Sequence, residues 1–146
     1  MWSAATGQAV YLDSNIFIYA VQKSDHWAKP AEVLLKAIDE QKVRAVASEL
    51  VLAEVLSKPF ALGNTRQIEQ YQRLLSSGSG LSMVNVSRGV LVLAAQLRGA
   101  TGLQLIDAIH IATAQLAHCD YFLTQDERLG RALADRPKWL KLSEIN

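Results

Sequence analysis

Short apolar runs of strand length alternate along this chain with longer stretches whose apolar residues recur every three to four positions. That alternation is what βαβ units leave in a sequence. Ala9-Val10-Tyr11-Leu12 predicts a first strand, and Asp13 or Ser14 is placed to cap a helix through Ile16, Tyr19 and Ala20. Pro30 suits the first turn of a second helix carrying Val33, Leu34, Ala37 and Ile38. Val43 to Ala47 reads as a second strand, after which Ser48 caps a helix with Leu52, Val55 and Leu56 that should stop before Pro59.

A further helix is predicted from Asn64 or Thr65 to Leu75, closed by the Ser/Gly loop at 76–80. Leu81 to Val86 follows as a third strand, and Ser87 caps a helix with Val90, Leu91, Ala94 and Leu97 that closes at Gly99. After a break at Gly99 to Gly102, a helix from about Ile106 to Ala117 leads to the short buried strand Tyr121-Phe122-Leu123, and Trp139 to Leu142 reads as an edge strand. No internal repeat is visible. The fold class is α/β, with a central parallel sheet of four or five strands.

Four acids interrupt the apolar pattern: Asp13 directly after the first strand, Glu54 within a helix, Asp107 in the first turn of another, and Asp126 just beyond the fourth strand. A buried carboxylate costs several kcal/mol unless compensated, and no Lys or Arg lies within helical reach of Asp13 or Asp107. In an open parallel sheet, ligands bind beyond the carboxyl ends of the strands where the strand order reverses. Asp13 and Asp126 fit opposite sides of such a crevice, with Glu54 and Asp107 contributed by flanking helices. Two carboxylates about 4 Å apart repel by roughly 4 kcal/mol at an effective dielectric of 20, so acids brought together need a counterion.

Composition sharpens the choice of counterion. Hard oxygen donors select Mg²⁺, with Mn²⁺ as a substitute, and His26, His110 and His118 show no zinc-type spacing. Such a cation orients a phosphate and activates water, which makes phosphodiester hydrolysis the natural reaction. With 15 basic and 14 acidic residues the formal net charge is +1, so a polyanion must be held by a local patch rather than by the field of the whole protein. Between Lys58 and Ile106 the bases Lys58, Arg66, Arg73, Arg88 and Arg98 face a single acid, Glu69. A set of solvated helix faces explains them equally well. At 146 residues, half of them hydrophobic, the chain is sized for one domain over 1–146. The lone Cys119, the lack of a leader pattern and the lack of a long apolar run predict a soluble cytoplasmic protein away from membranes.

Four segments together resemble a known family. Leu12-Asp13-Ser14-Asn15, Ala53-Glu54-Val55-Leu56, the run Asp107 to Ala114 and Phe122-Leu123-Thr124-Gln125-Asp126 look like the four motifs of PIN-domain ribonucleases, in that order and at similar intervals. The compact size and the Ala53 to Pro59 wording are most similar to the VapC toxins of toxin–antitoxin pairs. The resemblance implies a PIN-like three-layer α/β/α fold, a homodimer, dependence on Mg²⁺ or Mn²⁺, endonucleolytic cleavage of RNA, and inhibition by a small cognate antitoxin. By that carry-over Asp13, Asp107 and Asp126 are metal ligands, Glu54 holds a second metal or the attacking water, and Asn15 and Thr124 orient the acids. Gln125 stands where members often have Asn, and Gln104-Leu105-Ile106 replaces an Arg-Thr-Pro-like run, so substrate contacts are expected to differ.

Blander readings exist for each residue. Asp13 alone suits a helix cap, Asp107 a dipole-favoured first turn, Asp126 with Glu127 and Arg128 a polar turn, and Glu54 an exposed pair with Lys58. His110 reads as a hydrogen-bonded packing residue. Trp2, Trp27 and Trp139 read as packing residues rather than base-stacking platforms. The alternatives at the level of function are a PIN-fold binding module and a housekeeping RNA-processing nuclease without an antitoxin; a receiver-like phosphoacceptor lacks the needed Thr and Lys spacing.

Overall fold

The computed structural model describes residues 7–23, 26–78 and 80–144; Trp2 lies outside them. Five parallel strands, β1 (Ala9–Leu12), β2 (Arg44–Ser48), β3 (Leu81–Val84), β4 (Tyr121–Leu123) and β5 (Lys138–Leu140), form one sheet in the order β3-β2-β1-β4-β5. The helices are α1 (Ser14–Gln22), α2 (Ala28–Asp39), α3 (Leu50–Leu62), α4 (Thr65–Leu74), α5 (Arg88–Thr101), α6 (Leu105–Leu116) and α7 (Glu127–Ala132), followed by a short 3-10 turn at Leu142–Glu144.

Every residue of β1 is buried, as a central parallel strand requires, and its two faces feed different layers. Val10 and Leu12 pack with Ile16 and Phe17 of α1, Leu34 of α2 and Val51 of α3. Ala9 and Tyr11 point the other way, toward Ile111 and Ala114 of α6 and Leu129 of α7. This is the three-layer α/β/α arrangement expected from the sequence. A satellite cluster joins α5 to α6 through Val90, Ala94, Ala108, Ile109 and Ala112. The strand order grows from β1 toward β3 on one side and toward β5 on the other, so the reversal falls between β1 and β4.

Several boundaries differ from the sequence expectation. The third helix does not stop before Pro59; it continues to Leu62 with Pro59 inside. A proline near a helix end forfeits only its own N–H bond, and here its ring is buried, so packing offsets the loss. Glu54 consequently sits about two turns from the helix end rather than one. Gly99 does not close α5, which runs to Thr101 and ends at Gly102 in the left-handed region, φ 75°. An exposed helical glycine costs roughly 1 kcal/mol but breaks nothing. β3 stops at Val84, two residues short of the predicted end, β5 begins one residue before and ends two residues before the predicted strand, and α7 was not predicted, its six residues being too few to show a period. Ser48 does serve the α3 terminus, from the last position of β2, its Oγ accepting from the Leu50 N–H at 3.0 Å.

Candidate active site

The loop that leaves β1 and the loop that leaves β4 run side by side, tied by the Asp13 N–H donating to the Leu123 carbonyl at 3.2 Å. Asp13 caps α1, its Oδ1 accepting from the Ser14 N–H at 2.7 Å. Its Oδ2 accepts from the Thr124 hydroxyl at 2.7 Å. The cap reading of Asp13 is therefore correct as far as it goes, and one carboxylate oxygen serves it. Asp13 is 6% exposed and Thr124 fully buried.

From this pair a continuous hydrogen-bonded chain reaches the other three acids. On one side the Ser14 Oγ stands 3.5 Å from Asp13 Oδ1 and 3.4 Å from Glu54 Oε2, and the other oxygen of Glu54 meets His110 Nε2 at 2.7 Å. His110 Nδ1 is 2.5 Å from the Tyr11 hydroxyl. On the other side Thr124 Oγ1 accepts from the Asp126 N–H at 3.0 Å. Arg128 Nη2 then donates to Asp126 Oδ2 at 3.4 Å and to Asp107 Oδ2 at 2.8 Å. Asp126 also caps α7, its Oδ1 accepting from the Arg128 and Leu129 N–H groups at 3.0 and 3.3 Å. Side chains from β1, α1, α3, α6, the β4–α7 loop and α7 thus meet at the switch point.

The electrostatics follow from burial. Desolvation raises the Asp13 carboxyl above its ordinary value, and Glu54 adds to the rise; the Thr124 hydroxyl, the His110 ring and the Ser14 N–H oppose it. Burial pushes the Tyr11 phenol well up, reinforced by the charges of Asp13 and Glu54. Arg128 is raised by its hydrogen bond to Asp107 and by the charges of Asp107 and Asp126. Among the described residues, no buried side-chain nitrogen or oxygen lacks a partner.

All four predicted acids belong to this one network. Glu54 bonds His110 and not Lys58, so the exposed ion pair that the sequence allowed is not formed. Thr124 bridges two acids. Asn15 is half-buried in the first turn of α1, and among the described residues it makes no hydrogen bond to an acid. Trp139 packs rather than stacks: its indole N–H donates to the Thr124 carbonyl at 3.0 Å, and Trp27 lies against the larger core. Three participants escaped sequence reasoning. Ser14 and Arg128 read only as a cap and a turn residue, and Tyr11 as one more apolar strand position; the recurrence of polar atoms beside Asp13 and Asp126 was their only signal. Cys119 is buried in the cluster of Tyr11, Phe122 and Ile111, and burial raises its thiol to about 12, which leaves it inert.

Whether the acids suit a divalent cation can be judged from the donors. They are all oxygen, and Arg128 already places positive charge between Asp107 and Asp126, as a cation would. The donor chemistry therefore fits a hard cation. Among the described residues, no group of three or more His, Cys, Asp or Glu side chains is arranged to hold one.

A parallel α/β sheet with an acidic cluster at its switch point defines the class: a fold that binds its ligand at the carboxyl ends of the strands. More narrowly, residues 10–133 match the PIN domain family model, and the chain belongs to the PIN-domain family. Among solved structures it is similar to a toxin–antitoxin complex from Klebsiella pneumoniae, with 23% identity, TM-score 0.65, and coverage of 91% of this chain and 97% of that one. It is also similar to the DNA-bound VapBC of Salmonella typhimurium, with 13% identity, TM-score 0.71 and coverage of 92% and 98%. A third likeness is to Mycobacterium tuberculosis VapC20, a sarcin-ricin loop cleaving toxin, with 13% identity, TM-score 0.70 and coverage of 86% and 97%. At these identities the likeness establishes the fold. No curated protein sequence matches. Among the described residues no single helix is long and apolar enough to cross a membrane.

Proposed function

We propose that this protein is a metal-dependent endoribonuclease that hydrolyses RNA phosphodiester bonds at Asp13, Glu54, Asp107 and Asp126, and that it is the toxin of a toxin–antitoxin pair. The observation that carries the reading is the single hydrogen-bonded chain that gathers all four acids at the β1–β4 switch point. PIN domains are a family of nucleases, and the toxin role draws on the VapC and VapBC proteins that share the fold.

In this reading Asp13, Asp107 and Asp126 hold Mg²⁺ or Mn²⁺, with Glu54 beside a second ion or the attacking water. The cation, when bound, supplies Lewis acidity at the phosphate and acidifies a water. The chain's own groups do the rest. Thr124 and the Ser14 N–H fix both Asp13 oxygens, so the carboxylate turns neither way. The Ser14 hydroxyl lies between Glu54 and Asp13, its one hydrogen shared by two acceptors at 3.4 and 3.5 Å. Arg128 neutralises Asp107 and Asp126 until a cation takes its place, and is then free to meet a phosphate oxygen.

Leu91 and Val92 of α5 and Leu105, Ile106 and Leu116 of α6 are exposed, apolar surface of the kind that a homodimer would cover. A small antitoxin is proposed as the inhibitor. The test is cleavage of end-labelled RNA with Mg²⁺ or Mn²⁺, giving 5′-phosphate and 3′-hydroxyl ends, stopped by chelation and by Asp13→Asn or Asp107→Asn in folded protein. Cleavage at the wild-type rate by either variant would sink the assignment. A short neighbouring reading frame whose product blocks the activity would separate the toxin role from a housekeeping nuclease.

A further inference from the structure

His110 occupies a position that packing alone does not explain. It is 1% exposed, on the inward side of α6 between Ile109 and Ile111, where an apolar side chain would need no partners. A buried imidazole costs free energy unless both nitrogens are bonded, and here both are, to groups on two other elements. Nδ1 meets the hydroxyl of Tyr11 on β1, and Nε2 meets Glu54 Oε1 on α3.

The order of donors follows from the two partners. A carboxylate oxygen only accepts, so the 2.7 Å contact with Glu54 Oε1 puts the hydrogen on Nε2. Nδ1 is then the acceptor, and the Tyr11 hydroxyl donates to it. The phenol cannot swing away, because its ring lies edge-on to the imidazole at 5.7 Å and against Phe122 at 4.9 Å between ring centres. Glu54 is a long side chain, 19% exposed, with rotamers to choose from. The imidazole N–H occupies Oε1, and the remaining oxygen, Oε2, is the one turned to Ser14 and through it to Asp13.

We propose that His110, held between Tyr11 and Glu54 by both ring nitrogens, is the positioning residue for Glu54: it pins one carboxylate oxygen and leaves the other facing Asp13. The inference rests on the reading of the acids as the reaction site, and it assigns His110 no contact with the substrate. Groups that orient a functional side chain from behind in this way change rates by about 10- to 100-fold when removed.

The full chain is tested in three variants. His110→Leu fills the site without a donor, His110→Gln returns an N–H near the Nε2 position, and Tyr11→Phe keeps the ring but removes the hydroxyl. His110→Leu is expected to lower kcat about 10- to 100-fold with KM within about 2-fold of wild type, and His110→Gln to recover most of that loss. Wild-type kcat in folded His110→Leu, or equal losses in folded His110→Leu and His110→Gln, would overturn the proposal.

Long-range ¹H–¹⁵N spectra of the imidazole decide the same question without activity. Wild type should show hydrogen on Nε2 and none on Nδ1; Tyr11→Phe should move the Nδ1 resonance, and Glu54→Gln should move the Nε2 resonance. A hydrogen on Nδ1 alone, or an Nε2 signal indifferent to Glu54→Gln, overturns the inference. Wild-type protein that cleaves no RNA with either metal defeats the nuclease reading instead, and the spectra then still decide what His110 holds.

Discussion

Thr124→Val is the sharpest perturbation of the acid network, because the two side chains have nearly the same shape and differ only by the hydroxyl. That hydroxyl is fully buried, donates to Asp13 Oδ2 at 2.7 Å and accepts the Asp126 N–H at 3.0 Å. A hydrogen bond to a charged group contributes about 1.5–3 kcal/mol, and a backbone N–H left without a partner costs about 1 kcal/mol where water reaches it, as at half-buried Asp126. The variant should lose about 3 kcal/mol. For a domain of this size each kcal/mol moves Tm by about 2–4 °C, so melting should fall by about 6–12 °C. Thr124→Ser keeps the hydroxyl and should stay within about 1 kcal/mol of wild type.

The loss also has a pH signature. Thr124 favours the ionised form of Asp13, so removing it raises a carboxyl that burial has already raised. Between the two folded-state values wild type binds fewer protons than the variant, and its advantage grows with pH. The bond's contribution is thus present above the Asp13 value and is lost as pH falls through it. Melting followed by circular dichroism in chelator should show the gap narrowing from pH 7 to about 4, to what the Asp126 N–H alone contributes. A variant that melts within about 1 °C of wild type at pH 7, or a gap indifferent to pH, would refute the bridging role. RNA cleavage should fall by about 10- to 100-fold, the cost of a carboxylate displaced by an ångström.

Three other outcomes follow from the same geometry. Asp13→Asn should melt higher than wild type in chelator at pH 7 while abolishing cleavage: the raised carboxyl stabilises the fold only while protonated, and that contribution is lost as pH rises through its folded value, so the difference should vanish on acidification and a lower-melting variant at pH 7 would contradict the burial argument. Arg128→Gln should tighten Mn²⁺ binding about 2- to 10-fold, measured by electron paramagnetic resonance, because the cation no longer competes with two exposed ion pairs; weaker binding would mean that Arg128 supports the site rather than guarding it. Gly130→Ala should destabilise by about 1–3 kcal/mol in a thermal melt, since an added Cβ would lie 2.1 Å from the Trp139 indole, and unchanged melting would show that the indole can retreat without cost.

Much of this architecture was legible in the sequence because the apolar period and the strand length report directly on burial. Val10 and Leu12 against Ala9 and Tyr11 divide β1 between two helical layers, and an all-apolar tetrapeptide between polar turns has little else to be. The acids were legible as exceptions to that period. What escaped were facts settled by contacts across the chain. Pro59 reads locally as a stop, yet its ring is buried, and α3 therefore runs on to carry Glu54 at mid-helix. α7 is too short for periodicity and is nucleated by Asp126 as its cap, a side chain that sequence reasoning had reserved for chemistry.

That double use bears on how the site is built. Asp13 caps α1 with Oδ1 and meets Thr124 with Oδ2; Asp126 caps α7 with Oδ1 and meets Arg128 with Oδ2. Each acid at the switch point gives one oxygen to the helix that follows its strand and the other to a neighbouring side chain, Thr124 for Asp13 and Arg128 for Asp126. Capping fixes a side chain whose flanking backbone is already fixed, so the site needs few dedicated supports at the sheet. Glu54 and Asp107 have no such anchor, lying within a helix and in a first turn. They are the two acids for which separate partners had to be supplied: His110, which lies inside the third motif, for the one, and Arg128, which lies outside all four, for the other.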